Sequence, residues 1–297
     1  MAFPRFPTLF GNLRGALRIH ATPEVADADR GAPPQAGTLT SSGCTTPATP
    51  PKYFAADTSR DIFLISYPRS GNTWLRSIVA GVETGEIPET LSALDYIVPD
   101  IHFSVPAEKM TSRSRYVVKS HGTFRNDYQK VIYVFRDPKE VLLSYYDYLR
   151  KAADDARDLK AFAHDWLCGR VWPCSWREHV CSWLDRDVPP GVEMLVLAYD
   201  DICGNPSASV RRIASFLKAP CEEADVSRIV SATTRQQMRI RELAGDRARH
   251  REAGLRFIGS GEAHARGTLT RDIEAAIDRE CQETLQRMTR RFSAGRP

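Results

Sequence analysis

Chemically capable side chains occur at four places where a short apolar run gives way to polar sequence. A cation, a histidine or a tyrosine stands at each place: Arg69, Lys119, His121, Arg136 and Tyr199. Arginine and lysine bind anions, and arginine presents a planar fork of N–H donors that matches phosphate oxygens. Histidine is the side chain best suited to proton transfer near neutral pH. The set predicts a site that binds an anionic ligand and moves a proton.

The turn after the first apolar run has the composition of an anion-binding loop. The run 62–65 predicts a buried strand, and a helical pattern begins at Trp74. Between them stand a cation, a glycine and short polar side chains: Arg69, Ser70, Gly71, Asn72 and Thr73. A strand, a tight turn and a helix N-terminus direct backbone N–H groups and the positive end of the helix dipole at an anion. An ordinary strand–helix turn that holds an arginine is the alternative interpretation.

Arg136 and Ser144 suggest a second anion-binding position. Arg136 follows the apolar run 130–135. Asp137 and Pro138 have the residue types of an N-cap and a first helical position. Ser144 comes eight residues after Arg136, on the helix face below the cap, where the two can share one anion. Taken alone, the pair is better explained as a helix-capping cation and a packing serine.

Lys119 and His121 form the third candidate element. They follow the apolar run 115–118 at a spacing of two, so their side chains point the same way at the strand end. An isolated histidine is more often structural than catalytic. A histidine beside a cation at a strand end, however, has the arrangement that general-base catalysis needs.

These residues can form one site only in a fold that places the strand ends at the same edge of a sheet. Strands are predicted at 62–65, 115–118, 130–135 and 194–199. Helices are predicted at 72–82, 139–152, 175–186, 206–217, 224–243 and 270–292. Loops are predicted at 83–112, 151–173 and 245–256. Strands that alternate with helices indicate an α/β protein, a three-layer α/β/α arrangement with a central parallel sheet. Ligands of such sheets bind beyond the carboxyl ends of the strands.

Composition and charge limit the classes of protein. The chain has 297 residues, of which 42% are hydrophobic, and a formal net charge of +4. This charge suits an anionic small ligand and is too weak to argue for nucleic acid. No apolar run approaches the ~18 residues of a membrane-spanning helix. We expect a cytoplasmic location, one domain over 53–297, and an N-terminal extension with a disordered linker over 1–52.

The cysteines favour reduced thiols. There are seven, and an odd number does not suit a disulfide framework. Three cysteines and two histidines are close in sequence: Cys168, Cys174, Cys181, His164 and His179. Their spacings lack the Cys-x2-Cys pairing of zinc sites, so free thiols are favoured over a metal site.

Taken together, these pieces resemble the cytosolic-type sulfotransferase family. YPRSGNTW is similar to the family's 5′-phosphosulfate-binding loop, usually YPKSGTTW, and VFRDPKEVLLSYY is similar to its 3′-phosphate-binding segment. KSH resembles its K-[ST]-H catalytic element, and SWREHV its SWxxHV segment. LAYDDICGNP and FIGSGEAHARGTLT resemble its YEDM-type strand end and its C-terminal FxRxGxxGxWxxxLT element. The similarity spans residues 61–292, and its last part also resembles bacterial sulfotransferases that modify natural products.

The resemblance implies a P-loop NTPase-like sulfotransferase fold and the donor 3′-phosphoadenosine 5′-phosphosulfate (PAPS), with no metal required. It assigns the 5′-phosphosulfate to Arg69, Ser70, Gly71, Asn72 and Thr73. It assigns the 3′-phosphate to Arg136 and Ser144. Further contacts to the nucleotide are assigned to Trp74, Tyr199, Thr233 or Thr234, Gly259, Ser260 and Gly261. The catalytic residues that it implies are Lys119 at the sulfuryl group, His121 as the base, and Arg69.

The chain departs from the family pattern at two places. Arg69 stands where lysine is usual. Because arginine cannot realistically donate its proton, we expect Arg69 to stabilise charge on the bridging oxygen and not to act as a general acid. Residues 259–261 read Gly-Ser-Gly where the family often has Arg-Lys-Gly, and Arg256 or Arg266 is the candidate substitute. The family's dimer signature is incomplete, which leaves the oligomeric state open.

The resemblance implies transfer of a sulfuryl group from PAPS to a hydroxyl of a small-molecule or natural-product acceptor, with His121 as general base. A nucleotide-dependent kinase on a related fold is the first alternative. The chain lacks the G-x-x-x-x-G-K-[ST] pattern and its phosphate-binding lysine, which argues against a kinase. A non-catalytic nucleotide-binding protein is the second alternative, against which the pair of Lys119 and His121 argues. Neither nucleic acid nor a membrane span is expected.

Overall fold

The computed structural model of the chain describes residues 55–102, 113–152, 155–185, 190–244, 258 and 269–292. Within these ranges a parallel sheet consists of four strands: β1 (Ile62–Ser66), β2 (Val117–Ser120), β3 (Lys130–Phe135) and β4 (Glu193–Ala198). Their order across the sheet is β2-β1-β3-β4. Parallel strands need crossover connections, which cover both faces of the sheet. All five residues of β1 are accordingly buried.

Helices cover the sheet. Those that the structure describes are α1 (Asn72–Thr84), α2 (Leu94–Ile97), α3 (Pro138–Ala152), α4 (Leu159–Leu167), α5 (Trp176–Leu184), α6 (Tyr199–Gly204), α7 (Pro206–Leu217), α8 (Glu223–Ala232), α9 (Arg235–Ala244) and α10 (Arg271–Phe292). No helix among the described residues has both the length and the apolar character that are needed to cross a bilayer.

Each strand contributes to two separate cores. Phe63 and Ile65 of β1 join a core with residues of α3, α4, α5 and α10. Ile62 and Leu64 join the other core, with residues of α1, α7 and α8. Successive side chains of a strand point to opposite faces, so helices pack on both sides. The predicted three-layer α/β/α architecture with a central parallel sheet is therefore confirmed.

Several elements have the bounds that the sequence predicts. β3 covers residues 130–135, and α7 covers 206–217, where the side chain of Asn205 accepts a hydrogen bond from the Ala208 N–H. α5 follows Ser175, which forms a reciprocal capping box with Glu178. These segments carry their own start signals, so local sequence suffices to place them.

The expectation that residues 151–173 are irregular was wrong, because α4 lies within them. The Asp158 side chain caps α4 by accepting from the Ala161 N–H. Phe162 and Trp166 are completely buried against the first core. Full burial of a large apolar side chain contributes about 1.5–3 kcal/mol, which outweighs the poor helix-forming tendency of so short a segment.

The expectation of a loop over 83–112 was also wrong in part. α2 lies in this interval, and Asp100 forms a parallel bridge with Lys119 of β2. β2 itself begins and ends two residues later than predicted, so Lys119 lies inside the strand and His121 directly follows it. β4 ends at Ala198, so Tyr199 opens α6 instead of ending the strand.

The single helix expected over 224–243 is two helices, α8 and α9, with Thr233 and Thr234 between them. The Thr233 hydroxyl donates to the Ile229 carbonyl at 2.8 Å, which ends α8 with a local bond. The predicted extension 1–52 and the predicted loop 245–256 lie outside the described residues. The division of the chain at residue 52 therefore stays a prediction.

Candidate active site

The carboxyl ends of the four strands meet at one edge of the sheet. The register pairs Ile65 of β1 with Ser120 of β2 and with Tyr133 of β3. Phe135 of β3 in turn pairs with Ala198 of β4. The residues that follow these ends are the ones singled out from the sequence: the turn 69–73, His121, Arg136 and Tyr199. The parallel topology thus brings candidates that are far apart in the chain to one edge.

The backbone of the turn is strained in a way that shapes a cradle. Arg69 has φ 68° although it is not glycine, and Gly71 has φ 92° just before α1 begins. A Cβ at Gly71 would approach the ring of Tyr199 to 2.6 Å, so only glycine fits there. A non-glycine residue in the left-handed region costs about 1–3 kcal/mol and is typical of functional sites. The turn therefore leads directly into the N-terminus of α1, where the first N–H groups of a helix have no partner within that helix.

Three buried polar atoms in this turn and in the start of α1 have no hydrogen-bond partner within the described structure. They are Ser70 Oγ, Asn72 Oδ1 and Trp74 Nε1. An unsatisfied buried polar group costs about 1–3 kcal/mol, so such a group calls for a partner. Two of the three atoms can donate, which suits an anionic ligand that carries many acceptor oxygens. These residues fit a nucleotide phosphate.

Arg69, Arg136 and Ser144 converge beside the turn. Arg69 Nε donates to Ser144 Oγ at 3.1 Å, and Arg136 Nη1 donates to the carbonyl of Arg69 at 3.2 Å. The guanidinium of Arg136 lies 4.3 Å from the ring centroid of Tyr199 and forms a 2.6 Å ion pair with Glu140. Burial lowers the pKa of Arg69, and Arg136 acts in the same direction. Two guanidinium groups and one carboxylate therefore lie at this position, and their net positive charge attracts an anion.

The structure gives His121 the tautomer of a general base. His121 Nδ1 lies 2.6 Å from the carbonyl oxygen of Ser66, which can only accept, so Nδ1 carries the proton. Nε2 then keeps a free lone pair. Burial, and after it the charge of Lys119, holds the pKa of His121 well below 6.5. The ring is therefore neutral at pH 7 and able to accept a proton at Nε2.

Ser66 also connects this base to the anion-binding turn. Asn72 Nδ2 donates to Ser66 Oγ at 3.0 Å, and Ser66 Oγ lies 3.5 Å from His121 Nδ1. The side chain at the start of α1 and the imidazole thus contact the same residue at the end of β1. This link fixes the distance between the turn and the base.

Two further residues, His179 and Tyr133, support His121 from the core. His179 Nε2 lies 3.1 Å from the carbonyl oxygen of His121, and Tyr133 Oη lies 2.9 Å from His179 Nδ1. The carbonyl requires a proton on Nε2, so Nδ1 accepts from the tyrosine. Burial lowers the pKa of His179 to about 4. The sequence offers a signal, since His179 lies in SWREHV, but the motif by itself assigns no role to this histidine.

Asp100, His102 and Trp172 also adjoin the catalytic candidates. Asp100 contacts Lys119, and His102 Nε2 accepts from the backbone N–H of His121 at 3.1 Å. The Trp172 ring meets the rings of His102 and His121 edge-on, at centroid distances of 5.0 Å and 5.7 Å. Sequence reasoning missed these residues because both predicted loops lacked periodicity, and no local pattern pointed to them.

Other predicted residues are not joined to this cluster. Thr233 is buried with its hydroxyl engaged in α8, and Thr234 is exposed. Among the described residues, neither threonine hydrogen-bonds to the turn. Thr73 lies in the first turn of α1 and is half-buried. Gly259, Ser260 and Gly261 lie outside the described residues, as do Arg256 and Arg266.

No group of three or more potential metal ligands is found among the described residues. His164 is exposed and lies 3.9 Å from the Cys168 sulfur, whereas His179 is committed to His121 and Tyr133. The cysteines that the structure describes are all free thiols.

A strand–turn–helix anion cradle at the carboxyl edge of a parallel sheet, with an imidazole beside it, is typical of an α/β protein that binds a phosphate-bearing ligand. A family model described as a sulfotransferase domain matches residues 59–289. The chain belongs to the sulfotransferase family.

Curated relatives extend this finding. Sulfotransferase 1B1 of Mus musculus is 31% identical over 202 residues, which cover 61% of this chain and 66% of that protein. The amine sulfotransferase of Oryctolagus cuniculus is 24% identical over 192 residues, with 61% and 63% covered. The chain thus matches slightly less than two thirds of the length of these relatives.

Solved structures show the same fold. Retinol dehydratase in complex with androsterone and inactive cofactor PAP superimposes with a TM-score of 0.62, 21% identity, and 76% of this chain and 80% of that chain covered. Mouse sulfotransferase SULT7A1 complexed with PAP gives a TM-score of 0.57, 21% identity, and 78% and 86% covered. The fold is the P-loop-like α/β fold of sulfotransferases, as the sequence resemblance implied.

Proposed function

We propose that this protein is a PAPS-dependent sulfotransferase that moves a sulfuryl group to a hydroxyl of a small-molecule or natural-product acceptor. One observation carries the proposal: the Ser66 carbonyl holds the Nδ1 proton of His121, which leaves Nε2 as a free base at the same sheet edge as the anion-binding turn. Related proteins of this family have been crystallised with PAP, and one of them with androsterone. The free thiols of the described cysteines suit a cytoplasmic location.

The donor is proposed to lie along the carboxyl edge of the sheet. The backbone N–H groups of the turn and the hydroxyls of Ser70 and Thr73 would bind the 5′-phosphosulfate. The 3′-phosphate would be held by Arg136 and Ser144, together with the guanidinium of Arg69 that already contacts this serine. Guanidinium groups are preferred partners of phosphate oxygens, so these residue types suit the 3′-phosphate.

The adenine is proposed to lie against aromatic rings beside the turn. Trp74 and Tyr199 meet edge-on with a centroid distance of 5.8 Å, and the indole Nε1 has no partner among the described residues. A base that packs against these rings would bury apolar area and could satisfy the indole donor.

The chemical step balances in one displacement. The acceptor hydroxyl gives its proton to His121 Nε2, and its oxygen forms a bond to sulfur. The bond from sulfur to the 5′-phosphate oxygen breaks, and that oxygen leaves with the electron pair as part of PAP. The transition state is loose, by analogy with phosphoryl transfer, so positioning and electrostatic stabilisation dominate the rate enhancement.

The lowered pKa of His121 is compatible with this step. A loose transition state keeps most of the hydroxyl proton on the acceptor until late, so a weak base suffices. Lys119, as the nearest ammonium group, would stabilise the charge on the sulfuryl oxygens. Burial lowers the pKa of Lys119, although the Asp100 carboxylate opposes this shift.

The test combines PAP binding with turnover. Wild-type protein is mixed with PAPS and a panel of phenols, alcohols, sugars and peptide natural products, and sulfated products are detected by mass spectrometry. We expect His121→Ala to lower kcat by about 10²- to 10⁴-fold, as for loss of a general base, with PAP affinity by calorimetry unchanged. His164→Ala, which changes an exposed histidine, is the control and should retain activity.

Three results would contradict the proposal. Unchanged turnover of His121→Ala would remove the base assignment. Product formed from ATP and Mg²⁺, with none formed from PAPS, would identify a kinase. PAP binding without any turnover across the panel would favour the non-catalytic alternative.

A further inference from the structure

The three residues Asp100-Ile101-His102 run beside the end of β2 in parallel register. Asp100 pairs with Lys119, and two backbone hydrogen bonds flank this bridge: Lys119 N–H to the Pro99 carbonyl at 2.7 Å and Ile101 N–H to the Lys119 carbonyl at 3.0 Å. Side chains two apart on a strand point to the same face. The register therefore aligns residues 100 and 102 with residues 119 and 121, the two catalytic candidates at the end of β2.

The side chain of Asp100 is tied to the Lys119 ammonium. Asp100 Oδ2 lies 2.5 Å from Lys119 Nζ, and the two side chains are 3% and 12% exposed. Asp100 Oδ1 accepts from the backbone N–H of His102 at 3.0 Å. An ammonium group has three donors, so this contact leaves two N–H groups of Lys119 available for a ligand. The carboxylate thus orients the lysine and leaves two of its N–H donors for a ligand.

The side chain of His102 is tied to the backbone of His121. His102 Nε2 accepts from the His121 N–H at 3.1 Å, and the two rings lie nearly parallel, with an interplanar angle of 8°. His179 holds the carbonyl of the same residue from the core. The backbone around His121 is therefore clamped on both sides, by an exposed histidine and by a buried one.

We propose that Asp100 and His102 are positioning residues for sulfuryl transfer, and that they hold Lys119 and His121 in one register at the reacting end of the donor. The inference rests on the proposed function and deepens it. Asp100 directs the lysine, and His102 fixes the backbone from which the base projects. Displacement of a catalytic group by about 1 Å can cost about 100-fold in rate, so such a clamp has direct consequences for turnover.

The charged groups around His121 are consistent with a positioning role for Asp100. Within the described structure, the charged and titratable groups that face His121 are Lys119 of β2, Asp100 and His102 of the parallel segment, and His179 of α5. The Asp100 carboxylate raises the pKa of His121, against burial and the lysine, which lower it. Burial would raise the pKa of Asp100 itself, but Lys119 and Arg76 outweigh it and lower this pKa to about 2. The carboxylate therefore stays ionised wherever the enzyme would work.

The first test uses Asp100→Asn, which keeps the shape and removes the charge. We expect kcat to fall by about 10- to 100-fold, because the Lys119 ammonium loses the carboxylate that orients it. The KM for PAPS should change little, because the backbone of β2 still holds Lys119 at the same place. The acidic limb of the kcat profile should also move to lower pH, since His121 loses a group that raises its pKa. Asp127→Asn, which breaks the exposed ion pair with Arg125, is the matched control and should change neither quantity.

The second test compares two changes at His102. His102→Gln keeps a neutral acceptor that can reach the His121 N–H, whereas His102→Ala removes the acceptor. We expect His102→Ala to lose about 10-fold in kcat and His102→Gln to recover most of it. Equal losses in both variants would show that only packing matters at this position and would contradict a positioning role.

A third measurement separates this inference from the proposed function, because it needs neither donor nor acceptor. The imidazole resonance of His121, assigned by its absence in His121→Ala, is titrated by NMR in the full chain. Asp100→Asn should lower its pKa relative to wild type, and an unchanged pKa would overturn the proposed role of Asp100. Wild-type protein that binds no PAP and forms no product would instead overturn the proposed function, whatever the titration shows.

Discussion

Arg69 combines a strained backbone with two contacts to the proposed 3′-phosphate position. Its Nε donates to Ser144, its carbonyl accepts from Arg136, and its guanidinium lies 4.9 Å from the ring centroid of Tyr148. The resemblance groups Arg69 with the 5′-phosphosulfate and Ser144 with the 3′-phosphate, whereas the structure joins the two residues directly. A planar guanidinium at this junction can serve both phosphates, and a permanent cation serves as an electrostatic group and not as an acid.

Replacement of Arg69 tests that electrostatic role. Arg69→Lys should lower kcat/KM for PAPS by about 10-fold. A lysine lacks the planar guanidinium, whose several N–H groups can donate to Ser144 and to the donor at the same time. The shape of the pH profile between pH 6 and 9 should match wild type, as measured by steady-state kinetics. Equal activity of Arg69→Lys and Arg69→Gln would contradict the electrostatic role, because only the lysine keeps a positive charge. Arg69→Gln, which removes the charge, should be much more severely impaired.

At the scale of elements, the shape of the anion-binding turn between β1 and α1 depends on the start of α6. Gly71 lets the turn pass within van der Waals limits of Tyr199, the first residue of α6. Tyr199 in turn lies under the guanidinium of Arg136. The turn therefore needs the end of β4 as much as it needs its own residues, and the anion cradle forms only once the sheet is assembled.

Two glycines with similar backbone angles allow this dependence to be measured. At Gly71, with φ 92°, the Cβ of an alanine would meet Tyr199 at 2.6 Å, whereas at Gly85, with φ 76°, it would have no atom within 4 Å. Alanine in the left-handed region costs about 1–2 kcal/mol, so Gly85→Ala should destabilise the fold by this amount in urea unfolding, and Gly71→Ala by more because its Cβ also clashes with Tyr199. Only Gly71→Ala should also weaken PAP binding, by at least about 10-fold by calorimetry, because the ring or the turn must shift. Equal PAP affinity in the two variants would contradict the close packing of the cradle on Tyr199.

At the scale of the whole molecule, the site depends on histidines that the core keeps uncharged. His179 is fully buried, and its pKa falls from 6.5 in the unfolded chain to about 4 in the folded protein. His121 is shifted in the same direction by burial. Between pH 4 and pH 6.5 the unfolded chain binds a proton at His179 that the native state excludes, so the free energy of unfolding rises with pH. The stabilisation from a neutral His179 is complete above pH 6.5 and is lost as the pH falls towards 4.

Acid sensitivity of folding follows from this linkage. A shift from 6.5 to about 4 corresponds to about 3 kcal/mol, which wild type should lose progressively between pH 6.5 and pH 4 in urea unfolding. His179→Gln should be less stable at pH 7.5, because ring packing is lost, yet its stability should fall less steeply with acid. The exposed His164→Gln is the control and should keep the wild-type slope. Parallel slopes for His179→Gln and wild type would contradict a neutral buried His179.

The elements with local signals were predictable from the sequence. The buried run of β1, the capped start of α7 and the capping box of α5 are each specified by neighbouring residues, and the structure has them at the expected places. The alternation of these elements was enough to predict the parallel sheet, because crossover connections allow few other arrangements. The same logic placed the anion-binding turn and His121 at one edge.

The sequence by itself thus determined the architecture, the family resemblance and most of the residues at the sheet edge. Only the tertiary structure decided that Asp100 lies on Lys119, that His102 and His179 clamp the backbone of His121, and that Arg69 contacts Ser144. The physical reason is that these contacts join residues 19 to 75 positions apart through packing and strand register. No local periodicity or cap records such a contact, so it appears only when the sheet brings its strand ends together.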